Sequence, residues 1–425
     1  MRILFLASIW CLAPVLAFCQ PKGIHLSWNG TKKESTSSTI AITWLDEKQQ
    51  NAVIEYGMDS THFNHKKTPI AAFSSELNGW MNKARIKHLK PSTLYFYRIV
   101  YGKNNYTPLY HFTTAPGKKG TGKVLIGLYS DTQNNEGNLQ FQQTDTIVRQ
   151  LIRQPYNFVV HTGDIVENGS VIESWKRFFD VSQPLLANNP FMSVTGNHDV
   201  VNDTTSADFQ KPFPVFYQLF NLPKGQLNYS YDYGKIHFVA VNSGWAQGAE
   251  KVNKVLFEPG SEDYRWLEND LAKARKNKNI QWVIFYCHYP IYSFGWSHIP
   301  TWADHIKPLL DKYQVDLCIS GHRHVYERHK AIRGNTIEEL RDIHIYDQPK
   351  GTVYITNGSA GGSLQGLGGS QLPDMAFTPA EKVYTYATMT IEGNQLQYHV
   401  YNKKGEEIDY FTIRKNSPSS SLKPL

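Results

Sequence analysis

Phe158-Val-Val-His-Thr-Gly-Asp164 is the stretch whose reading decides the fold of this chain. Its first four residues have strand character and Thr-Gly breaks the run, so Asp164 is projected from the end of a buried strand where the backbone turns away. Open α/β sheets keep their sites at such ends. Four further stretches share the form of an apolar run closing on a ligand-type residue: Val124-Leu-Ile-Gly-Leu-Tyr-Ser-Asp131, Pro190-Phe-Met-Ser-Val-Thr-Gly-Asn-His-Asp199, Trp282-Val-Ile-Phe-Tyr-Cys-His288 and Leu317-Cys-Ile-Ser-Gly-His-Arg-His324. The expectation is five strands delivering their donors to one sheet edge. Asp131, Asp164, Asn197, His288, His322 and His324 would supply two carboxylates, one amide oxygen and three imidazoles. That mixture suits borderline divalent or ferric ions and not calcium, which takes oxygen alone. Asp164 has two oxygens and can bridge a pair of ions about 3.5–4 Å apart, which together clamp a phosphoryl group and generate hydroxide near neutral pH.

Downstream of this frame the apolar period is helical at Ile147, Val148, Leu151 and Ile152, and again at Tyr264, Leu267, Leu271 and Ala274; strands alternating with helices predict an α/β domain. Val383 to Ile413 returns to alternation and is expected to close the sheet edge. Upstream, residues 20–116 are all strand and turn, with Ile40, Ile42 and Trp44 on one face and Tyr95, Tyr97 and Ile99 on another. Short strands between turn residues predict a β-sandwich, and Leu89-Lys-Pro-Ser-Thr-Leu-Tyr-Phe-Tyr-Arg98 resembles a late strand of fibronectin type III domains. Nothing in it carries chemistry, so its expected role is packing or spacing. Residues 117–122 form the linker, 123–415 the catalytic domain and 416–425 a frayed tail. The glycine-rich segment from Gly358 to Gly369 has no strand-then-helix setting and no following Lys-Ser/Thr, so it is expected to be a flexible pocket rim and not a phosphate loop.

Composition agrees with real cores: 425 residues, 41% hydrophobic and 13% aromatic, exceed what one core usually serves. The formal charge of +7 is spread without a basic run and gives no case for nucleic acid. Met1-Arg2 followed by an apolar run to Phe18 reads as a secretory signal over residues 1–19, placing the protein outside the cell or in the periplasm. Lipid attachment at Cys19 is the alternative. The run is too short to span a bilayer and Pro14 interrupts it. Of four cysteines, Cys11 and Cys19 lie in that leader; Cys287 and Cys318 fall in core strands and are expected to be buried free thiols.

Gly163-Asp164, Gly196-Asn-His-Asp199, Trp266-Leu-Glu followed by Asp270-Leu271, His288-Tyr-Pro-Ile-Tyr-Ser293 and Val315-Asp-Leu-Cys-Ile-Ser-Gly-His-Arg-His-Val-Tyr-Glu-Arg328 resemble the calcineurin-like metallophosphoesterases, and among them the purple acid phosphatases. The resemblance covers most of the chain. It implies a sandwich of two mixed sheets flanked by helices, behind that family's fibronectin III-like amino-terminal domain. It also implies two metal ions, Fe, Zn or Mn. Asp131 and His324 would hold the first, Asn197, His288 and His322 the second, and Asp164 both. His198 would contact the substrate phosphate or protonate the leaving oxygen with Asp199 orienting it, and His298 would face substrate. His161, His237 and His305 match no motif and read as structural.

Two positions depart from the pattern. Purple acid phosphatases carry Tyr three residues after the bridging Asp, where this chain has Glu167; it either ligates, supports the ligands or lies at the surface. The first motif, usually Asp-x-Gly or Asp-x-His, is Asp131-Thr-Gln133, and Gln133 either offers its carbonyl oxygen to the first metal or hydrogen-bonds a bound water. Without the phenolate a colourless protein is expected. The implied function is hydrolysis of small-molecule phosphate monoesters by in-line attack of a metal-bound hydroxide. The alternatives are a phosphodiesterase using the same centre and a surface-binding protein whose centre has lapsed.

Overall fold

The computed structural model describes residues 19–416 apart from 31–34, 103–104, 119, 121, 134–139, 202, 210, 295–298 and 367–371. Val124–Tyr129 pairs in parallel with Phe158–His161, which pairs in parallel with Phe191–Ser193; the register sets Tyr129 beside His161 and His161 beside Ser193, so all three strands end at one level. On its other side Val124–Tyr129 pairs antiparallel with Thr385–Glu392, followed by Gln395–Asn402, Glu407–Arg414 and Ile345–Asp347, giving seven strands. The carboxyl-terminal strands therefore build half of this sheet outward from its middle, where the sequence suggested closure of an edge.

A second, eight-stranded sheet runs in the order Tyr229–Tyr233, Ile236–Val241, Trp282–Cys287, Leu317–Ser320, Thr352–Asn357, Tyr326–Arg333 and Thr336–Ile337, with Met375–Phe377 beside Tyr326–Arg333. The five ligand-bearing strands are thus divided, three in the first sheet and two in the second. The expectation of one sheet edge is corrected: the donors meet where the carboxyl ends of two facing sheets converge. Period-two patterning cannot show this, because strands of either sheet buried on both faces read alike as continuous apolar runs.

Trp282–Cys287 shows how the layers form. Trp282, Ile284 and Tyr286 pack into the core between the sheets, while Val283, Phe285 and Cys287 pack outward against Leu267 and Leu271 of helix Glu262–Lys276 and Ile306 and Leu310 of helix Trp302–Lys312. Each such side chain contributes about 1.5–3 kcal/mol when fully buried. Helix Glu262–Lys276 starts where Ser261 accepts from the Tyr264 amide, with Glu262 and Asp263 in its first turn, an end suited to the helix dipole. Helices Gln142–Leu151 and Ile172–Leu186 cover the first sheet. Between the sheets, Arg328 grips Asp409 through two nitrogens at 2.7 and 3.0 Å, both side chains fully buried; the pair joins a strand of one sheet to a strand of the other. Cys287 and Cys318 are buried and free, as expected.

The amino-terminal region forms a sandwich of two antiparallel sheets, Lys22–Ser27, Ile40–Asp46, Gly79–Ile86 and Ile70–Ser74 against Val53–Gly57, Leu94–Tyr101 and their neighbours. Ile40, Ile42, Trp44, Tyr95, Tyr97 and Ile99 are buried. Its contact with the following sheets is a core contact: Trp28 packs against Phe158 with ring centres 5.3 Å apart, and the Tyr97 hydroxyl donates to the Ala187 carbonyl at 2.7 Å. Among the described residues no helix is long and apolar enough to cross a membrane.

Candidate metal centre

The chain leaves its strands sharply at the site. Asp131, Asp164 and His322 all have left-handed backbone, with φ of 54°, 53° and 66°. Asp and His tolerate that region better than most side chains, yet each position costs about 1–3 kcal/mol and persists only where the surroundings enforce it. Here the cost turns three donor side chains back toward one point. Gly196 and Gly362 are required by close approach: a β-carbon at Gly196 would collide with the Asp164 carboxylate, and one at Gly362 with the His324 ring.

Two groups of donors result, each with ligand atoms within 4.8 Å of one another: Asp164, His288 and His322, and Asp131, Asp164 and His324. Asn197 joins the first, its Oδ1 lying 3.0 Å from His288 Nε2 and 2.9 Å from His322 Nδ1. Asp164 Oδ2 is 3.2 Å from His288 Nε2. On the other side Gln133, fully buried, places its amide 3.2 Å from Asp164 Oδ2 and 3.1 Å from His324 Nε2. Asp131 Oδ1 lies 3.7 Å from His324 Nε2. His322 and His324, one residue apart, face different groups.

Backbone carbonyls fix the imidazoles. His288 Nδ1 lies 2.9 Å from the Thr162 carbonyl and His324 Nδ1 2.8 Å from that of Ser363. Donation there leaves each Nε2 as a bare lone pair facing the site, the arrangement that orients metal-binding histidines. The remaining carboxylate oxygens are also held: the Ser130 hydroxyl donates to Asp131 Oδ2 at 2.7 Å, and the amides of His322 and His198 donate to Asp131 Oδ1 and Asp164 Oδ1 at 2.8 and 2.9 Å. Only the first part of the glycine-rich segment departs from the flexible rim expected of it; residues 363–366 are largely exposed, and 367–369 lie outside the described residues. Residues 358–362 are buried, and the amides of Ala360 and Gly362 donate to the carbonyls of Ser130 and Asp131, both at 2.9 Å. They form a wall behind His324.

His198 stands at the edge of the site, Nε2 3.9 Å from Asp164 Oδ2. The orienting role expected of Asp199 is corrected. His198 Nδ1 meets the peptide oxygen of Glu167 at 2.6 Å, while the buried Asp199 carboxylate accepts from the amides of Gly196 at 2.8 Å, Ile165 at 3.0 Å and Val166 at 3.3 Å. Asp199 thereby binds the turn carrying Asp164 to the turn carrying Asn197. Glu167 belongs to neither donor group, and its carboxylate lies 3.6 Å from His198 Nδ1. His298 lies outside the described residues. His161 touches Thr132 at 3.1 Å and accepts from the Gly163 amide at 3.2 Å, and His237 is clamped by Asp232 and Asp270 at 2.7 and 2.8 Å; neither histidine belongs to a donor group. Sequence reasoning missed the carbonyls of Thr162, Ser363 and Glu167, since a backbone acceptor has no signature in residue type.

The electrostatics call for a cation. With Nδ1–H given to Thr162, a neutral His288 presents only a lone pair to Asn197 Oδ1 and Asp164 Oδ2, which are themselves acceptors. Burial opposes charge on His288, but Asp164 and Asp131 outweigh it and raise its pKa to about 9. Burial also drives the Asp131 carboxyl well above its ordinary range, with His288 opposing and Asp164 adding to the rise. Buried acceptors pointed at one another are costly unless a proton or metal ion sits among them. A mixed set of carboxylate, imidazole and amide donors fits Zn, Mn or Fe.

Residues 124–326 match the model of the calcineurin-like phosphoesterases, and residues 21–114 that of the purple acid phosphatase amino-terminal domain. Probable purple acid phosphatase 20 of Arabidopsis thaliana is 25% identical over 362 residues, covering 82% of this chain and 75% of the relative. Purple acid phosphatase 22 of the same plant is 24% identical over 359 residues, with 82% and 73% covered. In fold, the chain resembles a purple acid phosphatase from yellow lupin seeds, Lupinus luteus, with a TM-score of 0.79, 20% identity, and 95% of this chain and 78% of the other covered. It also resembles PhoD, with a TM-score of 0.66, 14% identity, and 96% and 95% covered.

Proposed function

We infer the reaction from one premise: the chain is a purple acid phosphatase-like member of the calcineurin-like metallophosphoesterases, and so a hydrolase of phosphate esters. The reading is a phosphomonoesterase with two ions. Asp131, Asp164, His324 and the carbonyl oxygen of Gln133 hold one; Asp164, Asn197, His288 and His322 hold the other. The observation that carries it is the presence of Asp164 in both donor groups. For Gln133 the support is its amide: Nε2 faces two ligand atoms while Oε1, buried, has no partner. Turning the amide over exchanges nitrogen for oxygen at the site, a change that ordinary hydrogen-bond assignment leaves open. Position 167, which carries a phenol in purple acid phosphatases, here holds a carboxylate lying 3.6 Å from His198 Nδ1, and a colourless protein is expected.

Bound ions would supply an acidified water and positive charge opposite the phosphoryl oxygens. The chain's own residues do the rest. Asp164 keeps the two sets at a fixed separation, and the buried wall around Gly362 excludes water from behind His324. His198, its Nδ1–H given to Glu167, aims Nε2 into the site to protonate the leaving oxygen. Without bound ions, burial lowers its proton affinity, but Asp164 and the Glu167 carbonyl outweigh this and raise its pKa above the usual value; with ions on Asp164, the Glu167 carbonyl is the partner that still favours the protonated ring. A cationic donor at the edge favours the more highly charged monoester over a diester.

The domain limits follow the same reading, with a sandwich over 20–116 and a catalytic domain over 123–415. The apolar leader, outside the described residues, supports export to the periplasm or medium, with a lipid anchor at Cys19 as the variant. The test is hydrolysis of p-nitrophenyl phosphate against its bis-ester by the purified protein supplied in turn with Mn, Zn and Fe. The monoester should react faster by at least about tenfold, or about 1.4 kcal/mol of differential transition-state binding. Preference for the bis-ester would make the protein a phosphodiesterase, and hydrolysis of neither would make the centre a lapsed one.

A further inference from the structure

A histidine ring turns readily about its bond to the β-carbon, so a neighbour must fix its plane before the ring can hold an ion well. His288 and His324 each have a backbone carbonyl at Nδ1 for that purpose. In His322 the same nitrogen is used by the site, since its Nδ1 is the atom that meets Asn197 Oδ1 at 2.9 Å. A ring lies against it. Tyr289 is stacked on the His322 imidazole with ring centres 4.0 Å apart and planes 24° from parallel, and it stands edge-on to His288 at 5.5 Å and 87°.

Tyr289 is the fixed member of this pair. Pro290 follows it and keeps its backbone out of the helical region. Its amide donates to the Ser243 hydroxyl at 3.0 Å, and its carbonyl accepts from the Cys287 thiol at 3.2 Å; Ser243, Cys287 and Tyr289 are all fully buried. The tyrosine belongs to the apolar cluster that also holds Val241, Ile291 and Trp302, whereas His322 is partly exposed and arrives on a different turn. The face of a tyrosine ring is its negative side. An imidazole that has given a lone pair to a cation is electron-poor, so the stack is stronger with an ion on Nδ1 than without one. Only an interaction that differs between the two states changes the affinity.

We propose that Tyr289 is the positioning residue for His322: its stacked ring holds that imidazole where Nδ1 joins Asp164, Asn197 and His288 around one ion, and strengthens the binding of that ion alone. The proposal rests on the two-ion reading above and adds to it a determinant that is not itself a ligand. Binding of Mn to the metal-stripped full-length protein is followed by titration calorimetry, with circular dichroism alongside, for wild type, Tyr289→Phe and Tyr289→Leu. Phenylalanine keeps the ring; leucine keeps an apolar filling and removes it. In Tyr289→Leu one of the two binding steps should weaken by about 10–100-fold while the other stays within about threefold, and Tyr289→Phe should match wild type within about threefold at both. At limiting Mn, crystals of Tyr289→Leu should show the anomalous peak beside His322 depleted and the one beside His324 retained. Unchanged binding in Tyr289→Leu, equal weakening of both steps, depletion of the other peak, or a Tyr289→Phe as weak as Tyr289→Leu overturns the assignment. So does loss of the wild-type circular dichroism in Tyr289→Leu, which would make the tyrosine a support of the fold. Wild-type protein that binds fewer than two ions defeats the two-ion reading itself.

Discussion

Asp164→Asn is expected to abolish turnover. In the fold, Asp164 Oδ1 accepts the His198 amide at 2.9 Å and Oδ2 faces His288 at 3.2 Å, so the carboxylate is at once the shared donor and a fixed point of the turn. An amide keeps the shape and removes the charge. One oxygen remains to face one set of donors, and an NH2 group, which repels a cation, faces the other. Losing several kcal/mol of charge stabilisation in the transition state corresponds to a fall in kcat of about 1,000-fold or more. Kinetics with p-nitrophenyl phosphate and metal content per chain are measured together, and the variant should bind fewer ions than wild type. Wild-type turnover in Asp164→Asn would remove Asp164 from the chemistry. Circular dichroism of both proteins separates lost chemistry from misfolding: the variant should keep the wild-type spectrum. Burial pushes the Asp164 carboxyl up, but the attraction to His288 outweighs it and holds that carboxyl below its usual range, so losing the attraction should lower the melting temperature with metal withheld.

His198→Ala tests a different part. Its ring is about a third exposed and touches the donor groups only at their edge, 3.9 Å from Asp164 Oδ2. Its removal should therefore leave metal content near the wild-type value while lowering kcat by about 100-fold or more, the scale of a lost general acid. A second signature separates acid catalysis from simple positioning. A proton donor acts only while protonated, so the wild-type rate should show a falling limb at high pH, and the variant should lack that limb. The loss should also shrink for esters whose alcohol is acidic enough to leave unprotonated. A drop in metal content equal to the drop in rate would instead make His198 a support of the ligands.

The contrast between these residues shows what could be read from the chain alone. Asp131, Asp164, Asn197, His288, His322 and His324 were legible because each closes an apolar run, and a parallel strand that ends on a donor can present it in only one direction. The split of those strands between two sheets was not legible, since pairing is a long-range choice and a strand covered on both faces carries no mark of its neighbour. Asp199 misled for a related reason. Adjacent in sequence to His198, it points the other way, into backbone amides of Gly196, Ile165 and Val166, where a buried carboxylate satisfies donors that the sharp turns leave open. Glycines from 358 onward read as looseness, yet Gly362 is small because the His324 ring lies against it. Composition measures what a segment can do when free and says little once its amides are engaged.

Anomalous diffraction at the Mn, Fe and Zn absorption edges, from crystals of the full-length protein loaded with each metal, tests the central claim directly. Two peaks about 3.5–4 Å apart are expected, one beside Asp131 and His324, one beside Asn197, His288 and His322, with Asp164 in contact with both. A single peak, or two that do not share Asp164, would contradict it.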